Sequence, residues 1–235
     1  MRLRILFALL AVVASALMLA ACGGDEDETA ADGPVPTQTG STGTSDDMDM
    51  GTATASPAGD LRVTLDTLLG EHALLAIAAS QKGLDGDPDF EAIAGALDRN
   101  SVEISEAIGS VYGDEAARTF LDGPSLWRDH IGFFVDYTIG LANDDKAAQQ
   151  EAVDNLTGYT GAFSGFLAQA TGLPQDALQE GLATHITQLK DALDAYAAGN
   201  YEQAYTLFRE AYKHMVATGD TLATGIVQQN SDMFG

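Results

Sequence analysis

The chain has 235 residues, 46% of them hydrophobic, and 35 acidic residues against 11 basic ones give a formal charge of −24 at pH 7. So acidic a molecule is excluded as a nucleic-acid binder, because phosphate recognition needs basic patches. A single cysteine excludes a disulfide framework.

Residues 1–21 read as a secretory signal. Arg2 and Arg4 precede an uncharged apolar run from Ile5 to Leu19, too short and wrongly flanked for a stable spanning helix. The run ends on Leu19-Ala20-Ala21-Cys22, with Gly23 next. This resembles the lipobox of bacterial lipoproteins. The resemblance implies that Cys22 is acylated on its thiol, becomes the mature N-terminus and holds the protein at the extracytoplasmic face of the cell membrane. Several acyl chains on one residue anchor firmly where a single chain is marginal. Loss of Arg2 and Arg4 leaves nine basic residues against 35 acidic ones, a mature formal charge of −26. Such a field repels anionic lipid headgroups and concentrates cations and cationic partners.

Residues 22–59 read as a disordered acidic tether. After Cys22 the stretch is rich in Gly, Thr, Ser, Asp and Pro, with no aromatic, Leu, Ile or basic residue. It cannot bury enough apolar surface to offset its ordering entropy. Met48 and Met50 stand among Asp46, Asp47 and Asp49. Two thioethers among carboxylates offer secondary contacts for Cu(I) or a mixed set of cations, and equally read as an accidental pair.

Residues 60–235 are the size of one domain, and their pattern is helical nearly throughout. Leu61, Leu65, Leu68, Leu69, Leu75 and Ala76 recur at helical spacing. Phe90 to Val111 does the same, with a start predicted at Asp87-Pro88 and a stop at Gly113. Leu126–Ala142, Lys146–Thr171, Gln175–Ala198 and Tyr201–Val227 follow, punctuated by Gly172, Pro174 and Gly199. The expected fold is all-α: a six-helix bundle built from three tandem helical hairpins. His72, His130 and His185 fall at similar places in helices one, three and five, spaced by 58 and 55 residues. In the partner helices Asn100, Tyr159 and His214 correspond, spaced by 59 and 55. A repeated hairpin that buries its apolar face on its neighbours accounts for this.

Each of the four histidines has apolar residues at helical spacing around it, which predicts that all four face the core. A buried imidazole needs partners for both nitrogens, and leaving one unpaired costs about 1–3 kcal/mol. Neutral imidazole is a ligand for Zn, Cu, Ni and haem iron, and bundle cores commonly house such sites. His72, His130, His185 and His214 are therefore the candidate metal ligands. Glu71 lies about 100° around the helix from His72, so it suits a secondary contact. The competing reading makes all four structural, each bonded to a neighbouring helix, since duplicated hairpins would copy a structural His as readily as a ligand. Haem ranks below a simple ion. Glu-x-x-His pairs of the di-iron kind, a phosphate loop and a Ser–His–Asp signature are all missing.

The stretches Leu68-Leu69-Gly70-Glu71-His72, Ile108-Gly109-Ser110-Val111-Tyr112-Gly113, His130-Ile131-Gly132-Phe133-Phe134-Val135-Asp136-Tyr137 and Tyr212-Lys213-His214-Met215 carry a further likeness. Through them residues 60–235 resemble a family of secreted or lipid-anchored bacterial helical proteins often labelled copper amine oxidase. Relatives often carry a His- and Met-rich segment before the domain, where this chain has Met48 and Met50. The resemblance implies an extracytoplasmic helical domain and copper. It does not imply amine oxidation, which needs a large β-rich domain around a quinone built from tyrosine. The expected function is a membrane-anchored lipoprotein binding a transition metal, copper first, through inward histidines. The alternative is a non-catalytic envelope scaffold, and an enzyme comes last.

Overall fold

The computed structural model describes residues 55–234; Cys22, the signal at 1–21 and the linker methionines Met48 and Met50 lie outside them. Among the described residues every regular element is helical: α1 (Pro57–Asp85), α2 (Phe90–Tyr112), α3 (Asp114–Asp122), α4 (Trp127–Ala142), α5 (Lys146–Thr171), α6 (Gln175–Ala197), α7 (Tyr201–Gln229) and the single turn α8 (Ser231–Phe234).

Local chemistry explains most of the boundaries. α1 starts inside the stretch read as linker, because Ser56 caps it with a bond from Gly59 N–H (3.1 Å) and Pro57 supplies a pre-set first residue. It ends on Gly86, whose φ of 68° is the left-handed cap that glycine adopts without strain. α5 is capped by the Asp145 carboxylate, which accepts from Ala147 and Ala148 N–H, and is closed by Gly172. The expected start of the second helix at Asp87-Pro88 is corrected: α2 begins at Phe90, and the Asp87 carboxylate is taken by Lys82 at 2.8 Å instead of capping.

α3 is the element missing from the sequence reading, so the chain has more helices than the six expected. Nine residues long, it offers too little periodicity to be seen. It is held by Phe120 and Leu121, both buried; the Phe120 ring stacks on Trp127 at 4.9 Å.

α1 runs through the middle. It packs most extensively on α7 and also touches α2, α4 and α6. α2 pairs with α1, α5 with α4, and α7 with α6. α1 is apolar enough over 18 residues (mean hydropathy 1.2) to cross a membrane by composition. Its stripe Leu61, Leu65, Leu69, His72, Ala73 and Ile77 is buried against the neighbouring helices, which accounts for that hydropathy as a core helix. The antiparallel α1–α7 contact is close. A methyl on Gly219 would sit 2.7 Å from the Asp66 backbone nitrogen, and one on Gly70 would sit 2.9 Å from Val216 Cγ2. Glycine at these crossings is what lets the two helices meet.

Candidate histidine cluster in the bundle core

The three central helices each bring one imidazole inward. His72 on α1, His130 on α4 and His185 on α6 are 2%, 3% and 5% exposed. The reason is local. Each lies on the same stripe as its helix's apolar residues, Leu65 and Leu69 for His72, Phe134 and Tyr137 for His130, Leu178 and Leu189 for His185. Because α1, α4 and α6 touch one another, the stripes converge. The His72 ring centroid lies 5.5 Å from that of His130 and 6.3 Å from that of His185.

The surroundings are aromatic. Trp127 lies 4.7 Å from His72 and 4.9 Å from His130, and Tyr159 stacks on His130 at 4.7 Å. Phe163 continues the wall, 5.2 Å from Tyr159 and 6.0 Å from Trp127. Within this wall His72 Nδ1, His130 Nδ1, both His185 nitrogens and Trp127 Nε1 have no hydrogen-bond partner. Native interiors rarely leave so many polar atoms unpaired in one place, since each costs about 1–3 kcal/mol.

Burial sets the protonation state. It holds His72 well below its ordinary value of 6.5, with His130 adding to the effect. His130 is lowered to about 3, first by burial and then by His185; the Trp127 carbonyl pulls weakly the other way without giving Nδ1 a well-formed bond. His185 is lowered to about 3 by burial, His72 and His214 in that order. No carboxylate is near enough to raise any of the three. At neutral pH they are neutral bases, the form in which imidazole ligates metals.

The fourth histidine differs. His214 on α7 is only partly buried, and its Nε2 pairs with the Gly181 carbonyl at 2.9 Å. It lies nearly parallel to His185, centroids 6.4 Å apart. It flanks the cluster with one nitrogen already committed to backbone. Glu71 points outward: it is exposed, and its Oε2 accepts from Asn100 Nδ2 at 3.1 Å. Asn100 also donates to the Leu68 carbonyl, four residues before His72. The three partner-helix positions matched by spacing thus each serve a histidine segment: Asn100 steadies the α1 turn, Tyr159 covers His130, and His214 covers His185. Trp127 and Phe163 were not singled out together in the sequence, because their convergence depends on how α4 crosses α5.

The cluster can accept an electrophile. Two imidazoles on one ion with metal–nitrogen bonds near 2.1 Å place their centroids about 5–5.5 Å apart for tetrahedral to trigonal angles. His72 and His130 meet that spacing; His72 and His185, at 6.3 Å, would have to close by about 1 Å to meet it. In the conformation seen, no three His, Cys, Asp or Glu side chains among the described residues already stand as a ligand set. An open groove of about 650 Å³ lies elsewhere, lined by Tyr137, Lys146, Gln149, Lys190 and Asp194. There the Asp194 carboxylate is taken by the Tyr137 hydroxyl (2.6 Å) and Lys190 (2.9 Å).

No protein-family model, no curated protein and no solved structure shows a significant match to this chain.

Proposed function

We propose that this chain is a membrane-anchored extracytoplasmic lipoprotein whose helical domain binds a transition metal, copper first, through His72, His130 and His185. On this reading the domain is three helical hairpins in tandem, six long helices with α3 as an insert, and repetition is what brings one imidazole per hairpin to a shared depth. Cys22 carries the lipid, and His214 flanks the site against His185, while Glu71 faces outward and takes no part. Met48 and Met50 give a secondary contact from the tether.

The observation that carries the reading is the set of unpaired nitrogens on three converging neutral imidazoles in a carboxylate-free core. A structural histidine is normally bonded to something, as His214 is to Gly181. His185, with neither nitrogen bonded, has no structural employment of that kind. Haem takes a lower place, because Trp127 and Tyr159 already pack against the rings where a macrocycle would have to lie. His214 favours the second reading, a scaffold with structural histidines, to the extent that one of the four has a backbone partner.

The test is metal content by mass spectrometry, with an absorption spectrum, on the chain made without an affinity tag. The expected result is one equivalent of metal, lost in a His130→Ala/His185→Ala double variant that remains helical. A protein that takes up no Cu, Zn, Ni, Fe or haem leaves the scaffold reading. The anchor has its own test: partition into detergent, lost on Cys22→Ser.

A further inference from the structure

The cluster's electrostatics go beyond the presence of a metal to its charge. We infer that the space between His72, His130 and His185 selects a univalent soft cation, copper(I), over zinc(II) or copper(II). The inference rests on the proposal that this cluster is the metal site.

Consider what each ion would have to leave behind. The cost of moving an ion from water into a low-dielectric interior grows with the square of its charge, so a divalent ion faces about four times the penalty of a univalent one of the same size. Proteins that bury divalent ions commonly offset this with anionic ligands, thiolates or carboxylates. Here the donors are three neutral imidazoles, and the nearby acids are occupied elsewhere. Glu71 is exposed and held by Asn100. Asp129, next to His130, is exposed and accepts from Ser125 N–H at 2.6 Å. Asp194 is held by Tyr137 and Lys190. A divalent ion would keep its full charge in the core, whereas copper(I) leaves a single positive charge.

Coordination number points the same way. Zinc in a three-histidine site takes a fourth ligand, usually water, and water needs two to four polar partners of its own. The walls here are the rings of Trp127, Tyr159 and Phe163, and apart from the histidine nitrogens the unpaired polar atom among them is Trp127 Nε1, a single partner. Copper(I) accepts three nitrogen donors without a fourth. The spacing of His72 and His130, 5.5 Å, suits two imidazoles on one ion, and His185, 6.3 Å from His72, closes toward them on binding. Trp127, under 5 Å from both rings, adds an aromatic surface beside the cation of the kind that favours a desolvated positive charge.

The experiment uses the lipid-free chain carrying Cys22→Ser, Met48→Leu and Met50→Leu, so that the sulfur donors at 22, 48 and 50 are removed. Copper(I) is titrated without oxygen against a chromophoric chelator, silver(I) serves as a second univalent probe, and zinc(II) and copper(II) are titrated in parallel. Expected are one equivalent of copper(I), binding at least about 100-fold tighter than zinc(II), and X-ray absorption with three nitrogen scatterers and no sulfur. His185→Leu, checked as folded by its helical circular dichroism, should abolish that affinity. Zinc(II) or copper(II) binding as tightly as copper(I), and lost with His185→Leu, overturns the charge selection but leaves the metal site standing. Absence of binding by all four ions, or binding untouched by His185→Leu, overturns the metal site and the selection with it.

Discussion

Replacing His185 by leucine removes two ring nitrogens that the fold leaves without partners, and the direction of the resulting stability change separates a ligand from a structural residue. Each unpaired buried group costs about 1–3 kcal/mol, so the pair weighs about 3 kcal/mol against the metal-free fold. Leucine has a similar volume and sits on the same helix face as Leu189, one turn on; an imperfect shape returns about 1 kcal/mol. The net expectation is that the metal-free protein gains about 2 kcal/mol. At about 2–4 °C per kcal/mol for a domain of this size, Tm rises by about 4–8 °C. The assay is thermal unfolding followed by ellipticity at 222 nm at pH 7.5, with a chelator present throughout. A fall in Tm would refute the reasoning, since it would mean that the imidazole has a partner and holds the core together.

His214→Leu supplies the contrast: it removes the side-chain hydrogen bond to the Gly181 carbonyl and should lower Tm under the same conditions, by about 1 kcal/mol of stability. Acid should unfold the domain earlier than carboxylates alone would require. Burial lowers His130 and His185 to about 3 in the folded state, against an ordinary value of 6.5, so above pH 6.5 they have no effect on stability. Between 6.5 and about 3 the unfolded chain binds the extra protons, and each ring removes up to about 1.4 kcal/mol per pH unit; His72, also lowered, adds to the slope. Denaturant titrations at pH 7, 6, 5 and 4 should show this fall, and it should flatten in His185→Leu; an unchanged slope in the variant would contradict it. Asp66, raised by burial and by Asp220, acts with the opposite sign as a single group. Gly219→Ala forces a methyl against the Asp66 backbone and should cost about 1–3 kcal/mol in chemical denaturation. Gly132→Ala, with nothing within 4 Å of the new methyl, should gain about 0.5–1 kcal/mol; equal effects from the two would contradict the close crossing of α1 and α7.

The parts of this molecule that can be read from sequence are those decided within one helix. The ends of α5 at Gly172 and of α6 before Gly199 follow from the left-handed conformation that glycine takes, with φ of 69° and 79°. The inward direction of His72, His130 and His185 follows from their place on an apolar stripe. What depends on two helices at once does not show. Asp87 is as good a cap in sequence as any aspartate, but Lys82, one turn back on α1, claims it. α3 has two apolar anchors, Phe120 and Leu121, and is a helix only because Trp127 and Phe163 receive the first of them. Apolar neighbours at helical spacing point all four histidines inward alike, whereas the packing of α1, α4 and α6 joins three and leaves the fourth on α7 with a carbonyl.

The antiparallel contact of α1 with α7 has a consequence for the order of assembly. Asp66 meets Gly219, and Gln81 meets Tyr205, so the most extensive seam in the domain joins the first described helix to the last long one. Contacts of such long sequence separation are slow to form, because a large loop must be closed before they contribute. A chain emerging N-terminus first can pair α1 with α2 and α4 with α5 early. It cannot cover the exposed flank of α1 until α7 has been released, so a nascent or C-terminally truncated chain leaves the face beside Leu65 and Leu69 open to water and to chaperones. The histidine cluster is therefore a property of the finished chain, closed by its last long helix.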